Sequence, residues 1–345
     1  MVLMLNEINE QPKVLKKCME KNKDTVKKLA EEIRARNIQW IYIAARGTSD
    51  HAGIYGKYII ESELGIPVAP AAPSVFTLYQ KSVNFKNGMV IGISQSGKAA
   101  DVLEVIKSAN SQGALTVSIT NFPDSPMAME ANFHLDLSAG LEKSVAATKT
   151  FTSQMFVLAL LVAELSGNEE LKKELSLVPE NISHILGTAD TIKNKAERYR
   201  FANECFVLSR GMNYAIALES ALKIQETTYT RAKAFSTSDF QHGPIAMVDN
   251  NIPVIVYAPD GPTLNDTESM IDRLTNLGIE LIVVSNKQSI LDKGTCSISI
   301  PYTANDIISP YYNAVVAQLF ACSLSLAKGL NPDSPRMLSK VTITK

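Results

Sequence analysis

The stretch MVIGISQSGKAADVLEVI, residues 89–106, decides the fold. An apolar run leads directly into Ser94-Gln95-Ser96-Gly97, and apolar residues at helical spacing follow. A short apolar run bounded by a turn is typical of a strand buried on both faces of a parallel sheet, and the residues after the turn predict a helix over 98–111. Strand, polar turn and helix in this order form part of a βαβ unit. The sequence therefore predicts an α/β protein.

The same alternation extends over the first half of the chain. The predicted strands lie at 38–45, 66–69, 89–94, 114–119 and 132–137, and the predicted helices at 50–64, 74–81, 98–111 and 148–166. This order indicates a mainly parallel sheet flanked by helices on both faces, an αβα, flavodoxin-like arrangement. Upstream, residues 13–37 carry apolar residues at helical spacing among many charges, which predicts an amphipathic helix with a break near Asn22.

The second half of the chain repeats the first. Residues 43–47 (IAARG) correspond to 207–211 (VLSRG), and Gln154 corresponds to Gln318, each pair 164 positions apart. Further strands are predicted at 253–258, 280–285 and 296–300. One offset for two motifs predicts tandem copies of one fold. The chain is thus expected to comprise an N-terminal helical segment at 1–37, a first α/β domain at 38–166, a helical connector at 167–195, a second α/β domain at 196–331 and a C-terminal tail at 332–345.

Composition and charge exclude several classes of function. The 345 residues include 34 Lys and Arg against 35 Asp and Glu, so the chain lacks the basic excess of a nucleic-acid-binding surface. Four cysteines without a CxxC pair favour a reduced, intracellular protein. The N-terminus has no signal-peptide pattern, and the longest apolar run, 155–163, is far shorter than the roughly 20 residues of a membrane span. We therefore expect a soluble, cytoplasmic protein that binds neither nucleic acid nor membrane.

Three segments with hydroxyl side chains fall where strands are predicted to meet helices: 47–49 (GTS), 94–97 (SQSG) and 144–148 (SVAAT). Ligands of parallel α/β sheets bind beyond the carboxyl ends of the strands, and N–H groups at helix starts bind phosphate. The 94–97 turn is therefore the main candidate for a phosphate site. One alternative is that its serines only cap the next helix. Another is a nucleotide P-loop, because 92–98 (GISQSGK) fits its spacing, but Ala99 stands where that motif needs a hydroxyl for Mg²⁺.

Candidate acid–base residues lie in the second half. Glu219, Lys223 and Glu226 share one helical face, on a helix that follows the first strand of this half. Their spacing alone also fits a solvated ladder of salt bridges. His242 precedes a Gly-Pro break and is therefore predicted to lie in a loop, where it is a candidate general acid or base.

The remaining histidines give no indication of a metal site. His51, His134 and His184 have no ligand-like spacing with each other or with cysteine. We therefore expect no metal cofactor.

Six segments together resemble a known family. IAARGTSDH, ISQSGKAADVL, EKSVAATKTF, ALESALKIQETTY, QHGP and LSKVTI occur in the order of the double-domain sugar isomerase (SIS) proteins. The sequence is most similar to the isomerase half of glucosamine-6-phosphate synthase and to stand-alone glucosamine-6-phosphate deaminases on the same scaffold. The resemblance covers nearly the whole chain beyond about residue 25 and implies two tandem SIS domains.

The resemblance also implies a substrate site. A sugar 6-phosphate is expected to be bound by Thr48, Ser49, Ser94, Gln95, Ser96 and Val145. No organic cofactor is implied.

The resemblance implies catalytic roles for four side chains. Glu226 would move the proton between C1 and C2, and Lys223 would assist at the sugar oxygens. His242 would open the sugar ring from the partner subunit of a homodimer. Lys340, in the tail that closes over the active site, would form an imine with a keto-sugar.

Three departures from the synthase pattern affect the expected reaction. Ala99 replaces a threonine that touches the phosphate, and Arg46 replaces a cysteine. The glutaminase domain is not present in this sequence, so we do not expect the chain to make ammonia from glutamine. The expected reaction converts glucosamine-6-phosphate to fructose-6-phosphate and ammonia. Alternatives are an aldose–ketose phosphosugar isomerase, a fructosamine-6-phosphate deglycase and, outside the enzymes, a phosphosugar sensor.

Overall fold

A computed structural model describes residues 2–340, which form two compact units. The N-terminal unit contains residues 10–142, 149–177 and 339–340, and the C-terminal unit contains residues 2–9, 143–148 and 178–338. Each unit has a five-stranded sheet whose neighbouring strands are parallel. The predicted α/β class is confirmed. Residues 341–345, the end of the predicted tail, lie outside the described part of the chain.

Both sheets have the same strand order. The strands are β1 (Trp40–Ala44), β2 (Val68–Pro70), β3 (Gly88–Ile93), β4 (Leu115–Thr120) and β5 (Phe133–Asp136) in the N-terminal unit, and β6 (Glu204–Ser209), β7 (Arg231–Ser236), β8 (Val254–Tyr257), β9 (Leu281–Ser285) and β10 (Cys296–Ser299) in the C-terminal unit. The first sheet runs β2-β1-β3-β4-β5, and the second, read from its β7 edge, runs β7-β6-β8-β9-β10. Matched in chain order, both are the 2-1-3-4-5 order of flavodoxin-like folds.

Helices connect and flank the strands. They are α1 (Leu3–Asn9), α2 (Gln11–Ala35), α3 (Thr48–Leu64), α4 (Ser74–Thr77), α5 (Ala100–Ser111), α6 (Pro126–Glu130), α7 (Lys149–Ser166), α8 (Glu169–Leu186), α9 (Ala189–Glu197), α10 (Tyr214–Thr228), α11 (Thr237–Gln241), α12 (Leu264–Asn276), α13 (Gln288–Leu291) and α14 (Ser309–Ala327). Across residues 2–340, none of them combines the length and apolar character needed to cross a bilayer.

The central strands are buried because helices cover both faces of each sheet. Every residue of β3 and β4 is buried, which explains their unbroken apolar runs. In β3, Gly92 allows helix α5 to approach closely, since a Cβ at this position would lie 2.5 Å from the Cδ1 atom of Ile106. Ile106 is fully buried, and its side chain contributes roughly 1.5–3 kcal/mol by leaving water.

The predicted break in the first long helix is wrong. Helix α2 is continuous from Gln11 to Ala35, and Asn22 lies buried in its middle. The Asn22 amide donates to the carbonyl of Asp136 at 2.7 Å, and its oxygen accepts the N–H of Asp136 at 2.9 Å. Asn22 therefore joins α2 to edge strand β5 instead of ending the helix.

Strand β7 was not predicted from the sequence. Its residues, RAKAFS, include two charges and no long apolar run. β7 is an edge strand that pairs only with β6 in this sheet, and it alternates between exposed and buried residues over its first half. An edge strand exposes part of its surface to water, so its apolar residues are interrupted by polar ones. The long apolar run by which the central strands were predicted is therefore missing in β7.

Candidate active site

The turn that follows β3 is held by its own serines. Ser94 is buried, and its hydroxyl accepts the N–H of Gly97 at 3.2 Å. Ser96 Oγ accepts the N–H of Lys98 at 3.3 Å. Gly97 has φ +64°, and a Cβ there would lie 2.1 Å from Ser125 Oγ, so only glycine fits. The result is a tight turn of hydroxyl and N–H groups at the carboxyl end of a central strand.

These serines do not cap the helix that follows. Helix α5 begins after Ala99, whose backbone is extended and whose side chain makes no cap hydrogen bond. The alternative in which the serines of the 94–97 turn serve only as helix caps is therefore wrong. The hydroxyls of Ser94 and Ser96 instead shape the turn itself.

The hydroxyl-bearing segments of the N-terminal unit lie at one edge of its sheet. The chain leaves β1 toward β2 on one side and leaves β3 toward β4 on the other, so their carboxyl ends flank a topological switch point. Such a point is the usual ligand crevice of a doubly wound sheet. Thr48 and Ser49 start α3 directly after β1, and the 94–97 turn follows β3. The N-terminus of α3, a helix of 17 residues, adds a partial positive charge there.

Gln154 belongs to this group, although the sequence indicated it only as a marker of the repeat. It is 1% exposed on α7, and its Nε2 donates to Ser49 Oγ at 2.9 Å. Its Oε1 is buried with no hydrogen-bond partner among the described residues. A glutamine in the middle of an apolar helix was the available signal. Gln154 fixes the orientation of the Ser49 hydroxyl.

An ion pair between a half-exposed arginine and a buried aspartate links the two segments. Arg46 Nε lies 2.7 Å from Asp101 Oδ2, and Asp101 is 1% exposed in the first turn of α5. The guanidinium of Arg46 is half-exposed and brings positive charge to the carboxyl end of β1. In the first turn of α3, burial raises the pKa of Asp50, while the neighbouring His51 and Arg46 oppose that rise.

Helix α10 of the C-terminal unit carries the candidate acid–base residues. Lys223 Nζ lies 2.5 Å from Glu226 Oε2 and 3.4 Å from Glu219 Oε1. The side chains of Lys223 and Glu219 are 0% and 1% exposed, whereas that of Glu226 is 22% exposed. The alternative of a solvated salt-bridge ladder is therefore wrong. A buried ammonium lies between two carboxylates, and only Glu226 reaches a surface.

The end of α10 is attached to the C-terminal segment of the chain. Tyr229 ends the helix in the left-handed conformation, with φ +59°. Its hydroxyl accepts the N–H of Arg336 at 2.9 Å, and the guanidinium of Arg336 stacks 4.2 Å from the ring centroid. The helix that carries Lys223 and Glu226 is thus joined to the segment that precedes Lys340.

His242 lies on a different element of the C-terminal unit. It is exposed in the turn that ends α11, where its N–H donates to the carbonyl of Asp239 at 3.1 Å. Val145, half-buried, lies in the segment 143–148 of the same unit. The structure thus brings Lys223 and Glu226 together on one helix and places His242 and Val145 on separate loops.

Lys340 is paired with a carboxylate that the sequence did not reveal as a site residue. Its Nζ donates to Glu142 Oε2 at 2.9 Å, and Glu142 is 1% exposed. The same carboxylate accepts the hydroxyl of Thr150 at 2.7 Å and its N–H at 3.2 Å. Glu142 belongs to the segment EKSVAATKTF, so its motif was visible but its partner was not. A buried carboxylate beside an amine can accept the proton that the amine must lose before it attacks a carbonyl.

Within residues 2–340, no group of three or more His, Cys, Asp or Glu side chains is arranged to hold a metal ion.

Comparisons with known proteins identify the family of the chain. The family model for the SIS domain matches residues 27–164 and 199–328. Glutamine–fructose-6-phosphate aminotransferase (isomerizing) of Aquifex aeolicus is 37% identical over 344 residues, covering 99% of this chain and 57% of that protein. The enzyme of the same name from Methanothermobacter thermautotrophicus is 36% identical, covering 98% of this chain and 56% of that protein. The chain thus spans little more than half the length of these relatives.

Solved structures with a similar fold come from phosphosugar enzymes. The C-terminal domain of glucosamine-fructose-6-phosphate aminotransferase from Francisella tularensis superposes with a TM-score of 0.87 at 28% identity, covering 96% of this chain and 98% of that one. Glucosamine-6-phosphate deaminase from Thermotoga maritima has a TM-score of 0.79 at 22% identity, with coverage of 99% and 100%. Tagatose-6-phosphate ketose/aldose isomerase from Escherichia coli has a TM-score of 0.86 at 20% identity, with coverage of 99% and 96%. The last two similarities concern the fold alone.

Proposed function

The chain belongs to the SIS domain family, and we propose that this isomerase-type enzyme acts on an amino-sugar 6-phosphate, converting glucosamine-6-phosphate and water to fructose-6-phosphate and ammonia. The observation that carries the proposal is the buried Lys223 between Glu219 and Glu226, of which only Glu226 reaches a surface. A proton shift between neighbouring carbons needs one carboxylate that alternates as base and acid, together with a positive charge for the oxygen that becomes negative.

The phosphate is bound by the N-terminal unit in this proposal. Ser94, Gln95 and Ser96 supply hydroxyl and amide groups at one strand end, and Thr48 and Ser49 supply hydroxyl groups at the neighbouring strand end. N–H groups and hydroxyls bind phosphate oxygens without requiring a metal ion. Arg46, which is paired with Asp101, adds a positive charge.

The chemistry then proceeds through the open-chain sugar. His242 opens the ring of the substrate bound to the partner subunit of a homodimer. A side chain that acts on a partner's substrate must lie at the protein surface, and His242 is exposed. Glu226 removes the C2 proton and returns it to C1, and one proton passes from the amino nitrogen to the C1 oxygen, which converts the 2-amino aldehyde into a 2-imino alcohol. Lys223 stabilises the negative charge on the sugar oxygen during this shift. The C2 imine is then exchanged for the ketone of fructose-6-phosphate, and ammonia is released.

Lys340 and Glu142 serve the last step. An amine that attacks the C2 imine displaces ammonia and forms a protein-bound imine, which water hydrolyses to the ketone. The amine must be neutral to attack, and Glu142, 2.9 Å away, is placed to take its proton. The same pair would assist a keto-sugar that enters in the reverse direction.

A coupled assay tests the reaction. The purified protein is incubated with glucosamine-6-phosphate, and ammonia and fructose-6-phosphate are measured in parallel. We expect equal amounts of the two products. Interconversion of glucose-6-phosphate and fructose-6-phosphate without ammonia from the amino sugar would contradict the proposal and favour a plain isomerase. Release of an amino acid from a fructosamine 6-phosphate alone would favour a deglycase, and binding without turnover of any of these would favour a sensor.

A further inference from the structure

The segment 143–148 has an unusual place in the chain. It connects β5 to α7, both of the N-terminal unit, yet its own contacts place it in the C-terminal unit. It also contains Val145, a proposed substrate contact. Whatever holds this segment in place therefore sets the position of a substrate-binding residue.

Glu7 holds the start of the segment. It lies on α1, is 5% exposed, and its Oε1 accepts the N–H of Lys143 at 2.5 Å. The N–H of Ser144 also donates to the carboxylate, 3.4 Å from Oε1 and 3.3 Å from Oε2. A buried carboxylate is costly unless it is hydrogen-bonded, and bonds from N–H groups to a charged acceptor are among the stronger ones. The backbone of Lys143 and Ser144 is therefore tied to the N-terminal helix.

Asp333 connects the same parts from the other end of the chain. Its carboxylate accepts the N–H of Leu3 at 2.8 Å and that of Met4 at 2.7 Å, which fixes the start of α1. Its backbone oxygen accepts the N–H of Val145 at 3.4 Å. Asp333 thus contacts both α1 and the segment, and it lies a few residues before Lys340.

Gln318 fixes the far end of the segment. It is fully buried on α14, and its Nε2 donates to the carbonyl of Thr148 at 3.2 Å. The segment is therefore held at its first two residues by Glu7, at Val145 by Asp333, and at its last residue by Gln318. Of these three, only Glu7 binds it through a charged side chain.

We propose that Glu7 is a positioning residue for substrate binding. Its carboxylate sets the backbone of residues 143–145 and so places Val145 against the sugar phosphate. Asp333 supports it by fixing α1. The proposal rests on the proposed function, since it assumes that Val145 contacts the substrate. It assigns to the N-terminal helix a role in the active site that the sequence did not indicate.

The test compares Glu7→Gln with Glu280→Gln. The glutamine at position 7 keeps an acceptor oxygen but turns an NH₂ group toward a backbone N–H. Glu280 is a matched control in the same unit, because its carboxylate accepts the Tyr199 hydroxyl at 2.8 Å and pairs with Arg198 at 2.9 Å, apart from the segment. We expect Glu7→Gln to raise KM for the sugar phosphate about tenfold with kcat changed less than about threefold. Glu280→Gln should lower the melting temperature and leave KM unchanged. Glu7→Asp, which keeps the charge, should recover part of the affinity.

Hydrogen exchange provides a readout that does not depend on turnover. In a peptide covering residues 143–148, Glu7→Gln should speed amide exchange about tenfold or more, and Glu280→Gln should not. Unchanged exchange in Glu7→Gln would overturn the proposal. Faster exchange with an unchanged KM would also overturn it, since the contact would then be structural only. If the wild-type protein turns over no sugar phosphate, the proposed function fails. The affinity for glucose-6-phosphate, measured by calorimetry, then replaces KM in the comparison of Glu7→Gln with Glu280→Gln. A wild-type protein that does not bind glucose-6-phosphate would overturn the proposed function and the role of Glu7 together.

Discussion

The two sheets of this protein share one strand order, but their strand ends differ in chemistry. Applying the offset of 164 residues, Thr48, Ser94 and Ser96 of the N-terminal unit correspond to Met212, Ala258 and Asp260 of the C-terminal unit. The three hydroxyls are thus replaced by two apolar groups and a carboxylate. The turn glycines are retained: Gly47 and Gly97 correspond to Gly211 and Gly261, all with positive φ. Glycine has been kept at both turn positions where the neighbouring hydroxyl groups have not, so fold and site can vary independently.

Two corresponding acidic residues, Glu142 and Asp306, also differ in their surroundings. Glu142 corresponds by the same offset to Asp306. Glu142 accepts hydrogen bonds from Lys340 and Thr150, whereas Asp306 Oδ1 is buried with no hydrogen-bond partner among the described residues. Asp306 lies against the turn glycine, since a Cβ on Gly261 would be 2.7 Å from its Oδ1. In the C-terminal unit a carboxylate of the chain occupies the space beside the turn, which leads us to expect one sugar phosphate per chain.

The largest expected effect comes from the proton-transfer residue. Glu226→Gln removes the base but keeps the shape of the side chain, so kcat should fall about a thousandfold while KM changes only a few-fold. Steady-state kinetics with glucosamine-6-phosphate gives both values. Glu204→Gln, an exposed carboxylate paired with Arg231, is the control and should behave as the wild type. A loss of less than about tenfold in Glu226→Gln would show that Glu226 is not the base.

A smaller effect is expected at the phosphate turn. Ser96→Ala removes one hydroxyl from the proposed phosphate site, so KM should rise about tenfold with kcat nearly unchanged, because a hydrogen bond to a charged group is worth roughly 1.5–3 kcal/mol. Asp260→Ala changes the corresponding residue of the C-terminal unit and should leave KM unchanged. Equal increases of KM in the two variants would contradict the assignment of phosphate binding to the N-terminal unit alone.

The smallest effect is a change in the pH dependence of stability. Burial raises the pKa of Asp306 from its ordinary value of 3.8 to about 6, against the hydrogen bond from Thr263. The native state therefore binds the Asp306 proton more tightly than the unfolded chain does. The resulting contribution to the free energy of unfolding is fully present below pH 3.8 and is lost as the pH rises through about 6. Asp306→Asn should abolish this loss.

Chemical denaturation between pH 4 and pH 7 measures the effect. Over that range the free energy of unfolding of the wild type should fall by about 2 kcal/mol relative to that of Asp306→Asn. Parallel curves for the two proteins would mean that Asp306 titrates alike in the folded and unfolded states.

The sequence predicted the parts of the fold that depend on local pattern. Central strands such as β3 and β8 are recognisable because both faces are buried and their apolar runs are unbroken. Edge strand β7 and the continuity of α2 were missed because each depends on a partner distant in sequence. Asn22 is a helix breaker by local propensity, but its side chain is satisfied by the backbone of Asp136.

In the candidate site, too, features set by local sequence could be predicted and features set by distant partners could not. The hydroxyls of the 94–97 turn could be found from their place between a predicted strand and a predicted helix. The face of α10 that carries Lys223 could be found from helical spacing together with the place of the helix after a predicted strand. Glu142 and Gln154 could not be assigned, because what makes them important is a hydrogen bond to Lys340 or to Ser49, far along the chain. The same is true of Glu7, whose partners are separated from it by more than a hundred residues.

The placement of segment 143–148 has a consequence for protein engineering. Between residues 2 and 340 the chain passes from one unit to the other five times. A single cut in the connector would yield two polypeptides, each bearing a complete sheet, but the first would carry α1 and the 143–148 segment away from Asp333 and Gln318. A chimera that exchanges halves between relatives should therefore take residues 1–9 and 143–148 from the same relative as the second sheet.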